Sequence, residues 1–235
     1  MFEHFRRNFF EIIFPKKCVG CGKEGMLICG NCRAGIRLNS KFSCPICGEA
    51  SLAGRVCDGC RGKTSLSGLL YVSFYGNPVF RQAIYAWKYS FVSDVGEVLG
   101  NLFLLYAENY ASIFNNLGNP LIQAVPLHRK RFLWRGFNQA EVLADKLAAT
   151  RRLARINVLL RKKKTVPQSE VGNRERFGNV ASAFALAPGA EKQIAGRPVI
   201  LTDDIYTSGA TMEECAKLLK SAGAKEVWGF VLAKG

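Results

Sequence analysis

Eight of the nine cysteines stand in four Cys-x-x-Cys pairs: Cys18/Cys21, Cys29/Cys32, Cys44/Cys47 and Cys57/Cys60. Such a turn aims two thiolates at one point, and two turns supply the tetrahedral sulfur shell that Zn2+ prefers. Four pairs therefore predict two structural zinc ions. Glycines in or after the turns, as in Cys18-Val-Gly-Cys21-Gly22 and Cys44-Pro-Ile-Cys47-Gly48, suit a knuckle with positive φ and N–H groups directed at sulfur. Spacing does not fix the pairing, although joining the first two pairs and then the last two needs only short loops. Disulfides are disfavoured: Glu3, Arg6, Arg7 and Glu11 interrupt the apolar pattern of the first residues, which reads as no export signal and places the chain in the cytoplasm. A ribbon of about 45 residues buries too little apolar surface to stand alone, so metal is expected to supply its folding energy, and chelation to unfold residues 18–60 alone. Cys215 is a different case, recurring with Leu218, Leu219 and Ala222 at the spacing of a buried helix face.

A second constellation lies near the other end, in Pro198-Val-Ile-Leu-Thr-Asp203-Asp204-Ile-Tyr-Thr207-Ser208-Gly209-Ala210-Thr211. An apolar strand delivers two carboxylates and runs into a small, hydroxyl-rich loop that opens a helix. Backbone N–H groups and the dipole at such a helix start attract an anion. Two acids beside a phosphate repel it unless they face sugar hydroxyls or Mg2+, and a ribose 5-phosphate meets both demands. A Walker-type nucleotide site is excluded, because Gly62-Lys63-Thr64 has Cys57 where the earlier glycine is required.

Charge sets a third feature. Of the net +15, residues 126–180 carry +10, from 14 basic and 4 acidic side chains. Residues 1–66 carry +6, which falls to +2 once eight thiolates and two Zn2+ are counted. The polyanion surface is thus expected in the middle of the chain rather than on the ribbon. No stretch approaches the roughly 18 uncharged apolar residues of a membrane span.

The elements that must position these groups begin at residue 66, where Cys/Gly punctuation gives way to alternating strand and helix patterns. Strands are expected at Ser67–Tyr75, Leu121–Val125, Ala181–Leu186, Pro198–Thr202 and Glu226–Leu232. Helices are expected at Val79–Tyr89, Asp94–Ile113, Asn138–Ala149 and Ala210–Gly223, and Arg161–Asn179 reads as a basic irregular stretch. This pattern predicts an α/β fold with a parallel sheet whose ligands bind past the carboxyl ends of the strands. The chain divides into an amphipathic segment (1–17), a zinc ribbon (18–65) and an α/β domain (66–235).

The acidic loop resembles the phosphoribosyl pyrophosphate (PRPP) motif of type I phosphoribosyltransferases. Four features together resemble the ComF family, a zinc ribbon joined to a phosphoribosyltransferase-like domain. They are the cysteine pairs, the run Arg135-Gly136-Phe137-Asn138-Gln139, the basic stretch Arg161–Thr165 with Gln168, Arg176, Asn179 and Val180, and the acidic loop. The resemblance implies a type I phosphoribosyltransferase fold, PRPP with Mg2+, and a link to DNA uptake or use of imported DNA in natural transformation. It makes Pro126, Leu127, His128 and Arg129 candidates for the pyrophosphate loop, with Arg129, Asp203 and Asp204 at the reacting centre. Thr207, Ser208, Gly209, Ala210 and Thr211 would hold the 5-phosphate, and Lys162 and Lys163 would belong to a mobile lid. Thr207 stands where purine-salvage members carry an acid, so a 6-oxopurine acceptor is not expected. Two function classes stay open. One is a phosphoribosyltransferase; the other is a non-enzymatic adaptor that binds single-stranded DNA and docks an ATP-driven translocase or helicase through its ribbon. Phe132, Trp134 and Phe137, interleaved with Arg129, Arg131 and Arg135, suit base stacking or, equally, packing in the core or in a homodimer.

Overall fold

The apolar runs condense into one five-stranded sheet. The computed structural model describes residues 16–89, 93–162 and 183–235. The elements run α1 (Gly30–Ala34), β1 (Gly68–Phe74), α2 (Pro78–Tyr89), α3 (Ser93–Asn109), α4 (Ala111–Asn116), β2 (Leu121–Ala124), α5 (Arg129–Arg135) and α6 (Gln139–Arg151). They continue as β3 (Arg155–Ile156), β4 (Leu159–Arg161), β5 (Phe184–Leu186), α7 (Ala190–Ile194), β6 (Val199–Tyr206), α8 (Ala210–Ser221) and β7 (Val227–Lys234). The sheet order is β1-β7-β6-β2-β3 and all four pairings are parallel. β4 and β5 form a separate antiparallel pair.

Strand alternation sorts the core into two layers. Ile200 and Phe230 pack with α2, α3 and α6 residues such as Ile84, Phe103 and Leu143 on one face, whereas Leu201 and Val231 pack with Cys215 and Leu219 of α8 on the other. Cys215 is fully buried, as its helical spacing predicted. Two features escaped the periodicity. The long helix expected over 94–113 breaks at Tyr110, and the basic run after β2, read as a loop, forms α5.

The ribbon is not a free appendage. Ile28 and Ile36 belong to the same core layer as Leu70, Phe80 and Trp228. Asn39 N donates to Val72 O (2.7 Å), Ser73 Oγ to Arg37 O (2.7 Å), and Asn77 Nδ2 to Gly35 O (2.8 Å). Contacts therefore cross the composition change near residue 66. This coupling revises the expectation that chelation unfolds the ribbon alone.

Candidate functional site

The cysteines gather as two sets of four, Cys18/Cys21/Cys29/Cys32 and Cys44/Cys47/Cys57/Cys60, with all sulfurs of a set within 4.8 Å of one another. This is the sequential pairing that loop length favoured. In each set one buried thiol is prepared for ionisation: burial pushes Cys18 and Cys44 up, but backbone N–H groups outweigh it and bring both down to about 6. Those groups come from Cys29, Cys21 and Gly20 in the first set and from Cys47, Cys57 and Ile46 in the second. Cys32 is pushed up to about 12, first by its bond with Cys29, and Cys60 to about 12, first by burial and then by Cys57. Four sulfurs gathered this closely, one of them in each set already held by backbone N–H groups, fit the tetrahedral shell of a structural zinc.

The second centre is a cleft of about 510 Å3 past the carboxyl ends of β6 and β2. Asp203, Asp204, Thr207, Gly209 and Thr211 line it on one side, with Pro126 and Leu127 on another. Period-two alternation along β6 sends the two acids apart. Asp204 continues the row of Ile200 and Thr202 toward α2, where Lys88 Nζ meets its Oδ1 at 2.8 Å. Asp203 continues the row of Leu201 toward the layer of Cys215, where it interacts with Arg161. Burial, and then the Asp204 charge, raise the Asp203 carboxyl to about 7, against the pull of the Asp204 N–H, Lys88 and Arg161. The acids therefore make no preformed two-carboxylate cation cage, and among the described residues no third His, Cys or acid joins them at metal-ligand range. Mg2+ held by these two acids would need further ligands from outside the described residues.

A folded-state value above the unfolded one means that Asp203 contributes stability that is present below about pH 4 and is lost as pH rises through about 7. Asp203→Asn is accordingly expected to raise the melting temperature, by an amount that grows between about pH 4 and pH 7 and levels off above. Calorimetric melts across that range check it; a pH-independent difference would show that Asp203 titrates as an ordinary surface carboxylate.

The loop after β6 ends at Gly209, which caps α8 with φ +77°. A Cβ there would collide with the Tyr206 ring, so glycine is required twice, for backbone conformation and for space. Ser208 Oγ faces the Ala210 N–H at 3.5 Å. The run Arg135–Gln139 has a local reason at each position. Gly136 closes α5 with φ +83°, Phe137 packs on Trp87, and Asn138 caps α6 while its Nδ2 holds Val125 O at 3.0 Å. Arg135, buried at 7% exposure, donates to Gln139 Oε1 (2.7 Å) and lies over the Tyr89 ring.

Not every residue singled out by sequence reaches the cleft. Arg129 is the exposed first residue of α5, His128 caps that helix through Nδ1 and the Lys130 N–H (3.2 Å), and neither lines the cleft; nor do Ser208, Ala210 and exposed Lys162. Lys163, Lys164, Thr165, Gln168, Arg176, Asn179 and Val180 lie outside the described residues. The cations that do line the cleft are Lys88, Arg131, Arg135 and Arg161. Arg161, read as the start of a loop, ends β4 over the Phe184 ring; burial and then the charge of Arg131 lower its pKa. Aromatics come with them. Tyr85 and Tyr89, one helical turn apart, stand 4.7 Å between centroids, Tyr89 lies 5.8 Å from Trp134, and all three are exposed. Charge density had marked residues 126–180, but nothing in the sequence linked α2 to that surface. No helix among the described residues is long and apolar enough to cross a membrane.

Two family descriptions match parts of the chain. Residues 9–66 match the double zinc ribbon domain and residues 133–235 the phosphoribosyl transferase domain. Competence protein F of Haemophilus influenzae is 28% identical over 96% of this chain and 99% of its own length. DNA utilization protein YhgH of Escherichia coli is 31% identical over 86% of this chain and 88% of its own. Competence protein ComFC of Streptococcus pneumoniae is 36% identical over 47% of this chain and 46% of its own. A double zinc ribbon built into a phosphoribosyltransferase domain, over nearly the full length of such relatives, places this chain in the ComF family.

Proposed function

We propose that the cleft binds PRPP and that the protein acts in the uptake or use of DNA, as the names of its relatives say of them. The observation that carries the first half is the meeting of Asp203 and Asp204 with the Thr207–Thr211 loop in one cleft. The ribose hydroxyls would donate to the two carboxylates, and the loop N–H groups at the start of α8 would hold the 5-phosphate. Lys88 must give up Asp204 as the ribose enters. Arg131, Arg135 and Arg161 surround the place where a diphosphate would lie, and their charge would stabilise its departure from C1. Mg2+ would arrive on the diphosphate and neutralise part of its charge. Pro126 and Leu127 line the cleft beside it, while Arg129, His128 and Lys162 would act from the rim, and Lys163 would add its charge to the same anion. The acceptor at C1 would need no acid from position 207, which excludes the usual route to a 6-oxopurine. Calorimetric titration with PRPP, with and without Mg2+, tests this reading; no heat of binding in either condition would remove it.

The exposed Tyr85, Tyr89 and Trp134 favour a second reading that is compatible with the first, a surface for single-stranded DNA. Under it, affinity falls with salt at a log–log slope of about −0.7 per phosphate neutralised, and replacing Lys162, Lys163 and Lys164 with Ala lowers that slope by up to ~2. Trp134→Ala should instead weaken binding by about 1–3 kcal/mol and leave the slope unchanged. Fluorescence anisotropy with an oligonucleotide at several salt concentrations separates the two effects. A slope lost only when the ribbon is altered would move the DNA surface there, where a translocase or helicase is otherwise the expected partner.

A further inference from the structure

The second cysteine cluster is tied by a short run of contacts to the helix that opens from the phosphate loop. Cys57 and Cys60 belong to that cluster. After Cys60 the chain turns, with Lys63 N donating to Cys60 O (3.0 Å), and presents Thr64 and Ser65 to α8. There the Glu213 carboxylate takes a bond from the Thr64 hydroxyl, and Ser65 N donates to its Oε1 and Oε2 at 3.0 and 3.1 Å. Glu213 sits in the first turn of α8, and its own N–H donates to Gly209 O (2.8 Å), the cap of the loop. Thr64 stands four positions after a cluster cysteine, and Glu213 four positions after Gly209.

An acid in the first turn of a helix commonly serves its own free N–H groups. Glu213 instead serves the linker. Its carboxylate is engaged away from the cleft, so the loop keeps its N–H groups for a phosphate, and the first turn of α8 is pinned to a segment whose conformation depends on a metal cluster. Below the same loop, the Tyr206 ring is buried directly under Gly209. The first cluster has a different neighbourhood. Gly20 lies against Cys32 and Val79 of α2, and Ile28 and Ile36 join the opposite core layer.

We propose that Glu213 is a positioning residue through which the second zinc site controls the anion affinity of the Thr207–Thr211 loop. With metal bound, the turn after Cys60 holds Thr64 and Ser65 in place, Glu213 stays clamped, and the first turn of α8 is ordered before a phosphate arrives. Without it, the clamp opens, the freed carboxylate can turn toward the loop, and a phosphate meets both a looser cradle and a like charge. Filling the first site alone does not restore the loop. The inference rests on the reading of the loop as a phosphate site.

The test uses the full zinc-loaded chain with PRPP and inorganic phosphate as probes. Glu213→Gln combined with Thr64→Val should lower PRPP affinity about tenfold, the size of a lost charge-assisted hydrogen bond, while zinc content stays at two per chain. Amide hydrogen exchange should quicken at residues 207–215 and stay unchanged in β2 and α6, a local pattern that general destabilisation would not produce. Glu214→Gln, on the same helix but paired with Lys217, should leave affinity within about twofold. If the double variant does not fold, Thr64→Val alone keeps the carboxylate and the Ser65 bond and should still lower affinity measurably. Stepwise chelation should lower affinity in parallel with loss of metal from the second site. Full PRPP affinity in folded Thr64→Val and Glu213→Gln variants would overturn the proposal while leaving the phosphate reading intact. Failure of the zinc-loaded wild type to bind either probe would overturn both.

Discussion

With Asn at both 203 and 204, Mg2+-dependent PRPP affinity is expected to fall at least about a hundredfold while the protein remains folded. Each carboxylate would accept a hydrogen bond from a ribose hydroxyl, and an amide replaces a charged acceptor by a weaker one that also presents donors. The stability effects have opposite signs. Asn at 203 removes a carboxylate that burial and its neighbour disfavour, whereas Asn at 204 leaves the Lys88 ammonium, 16% exposed, without its ion pair. The melting temperature of the double variant should therefore move less than that of Asp204→Asn alone. Calorimetry for affinity and circular dichroism for the melt decide the matter, and undiminished PRPP affinity in the folded double variant would falsify the ribose role.

Removal of both zinc ions is expected to lower the melting temperature of the whole chain by at least about 15 °C, in a single transition. An independent ribbon would melt by itself and leave the α/β transition in place. Ile28 and Ile36 share a core layer with Leu70, Phe80 and Trp228, and the hydrogen bonds from Asn39 N to Val72 O and from Asn77 Nδ2 to Gly35 O join the ribbon to the α/β domain. Stripping metal thus uncovers apolar surface on the α/β side as well. Differential scanning calorimetry of zinc-loaded and chelated protein, with metal content measured on the same samples, checks this. Two separate transitions, the upper one unmoved by chelation, would show that the modules are energetically independent.

What the sequence carries openly is local. Cysteine pairs three residues apart and two acids leading into a Thr-Ser-Gly loop carry their geometry in their own spacing, so the metal clusters and the strand–loop–helix unit of β6 and α8 are legible in the sequence. Partners from distant segments are not. Lys88 and Tyr89 belong to an amphipathic helix whose pattern says only which face is buried, and their place beside Asp204 and Trp134 follows from how α2 crosses the sheet. α5 was missed because its seven residues mix cations with large apolar groups, and its cap is His128, an unusual capping residue. Arg161 misled for the opposite reason. It heads a run of lysines, yet antiparallel pairing with Phe184 draws it inward, and composition alone cannot distinguish the last residue of a strand from the first of a basic loop.

The strand order has a consequence for synthesis. Among the described residues β1 is the first strand of the sheet in chain order and its partner there, β7, is the last; Ser67 and Val227, where the two lines meet, are 160 positions apart. While the rest of the domain is translated, β1 is an apolar ribbon edge able to pair with any other chain. The zinc module precedes it and closes through short loops, so it can be complete before β1 appears. It then lies along the side of β1 that β7 does not occupy, through the Asn39–Val72 bond and the antiparallel bridge of Arg55 with Gly68. A nascent chain thus reaches its longest wait with one edge of β1 already covered by a part that closes through short loops and metal.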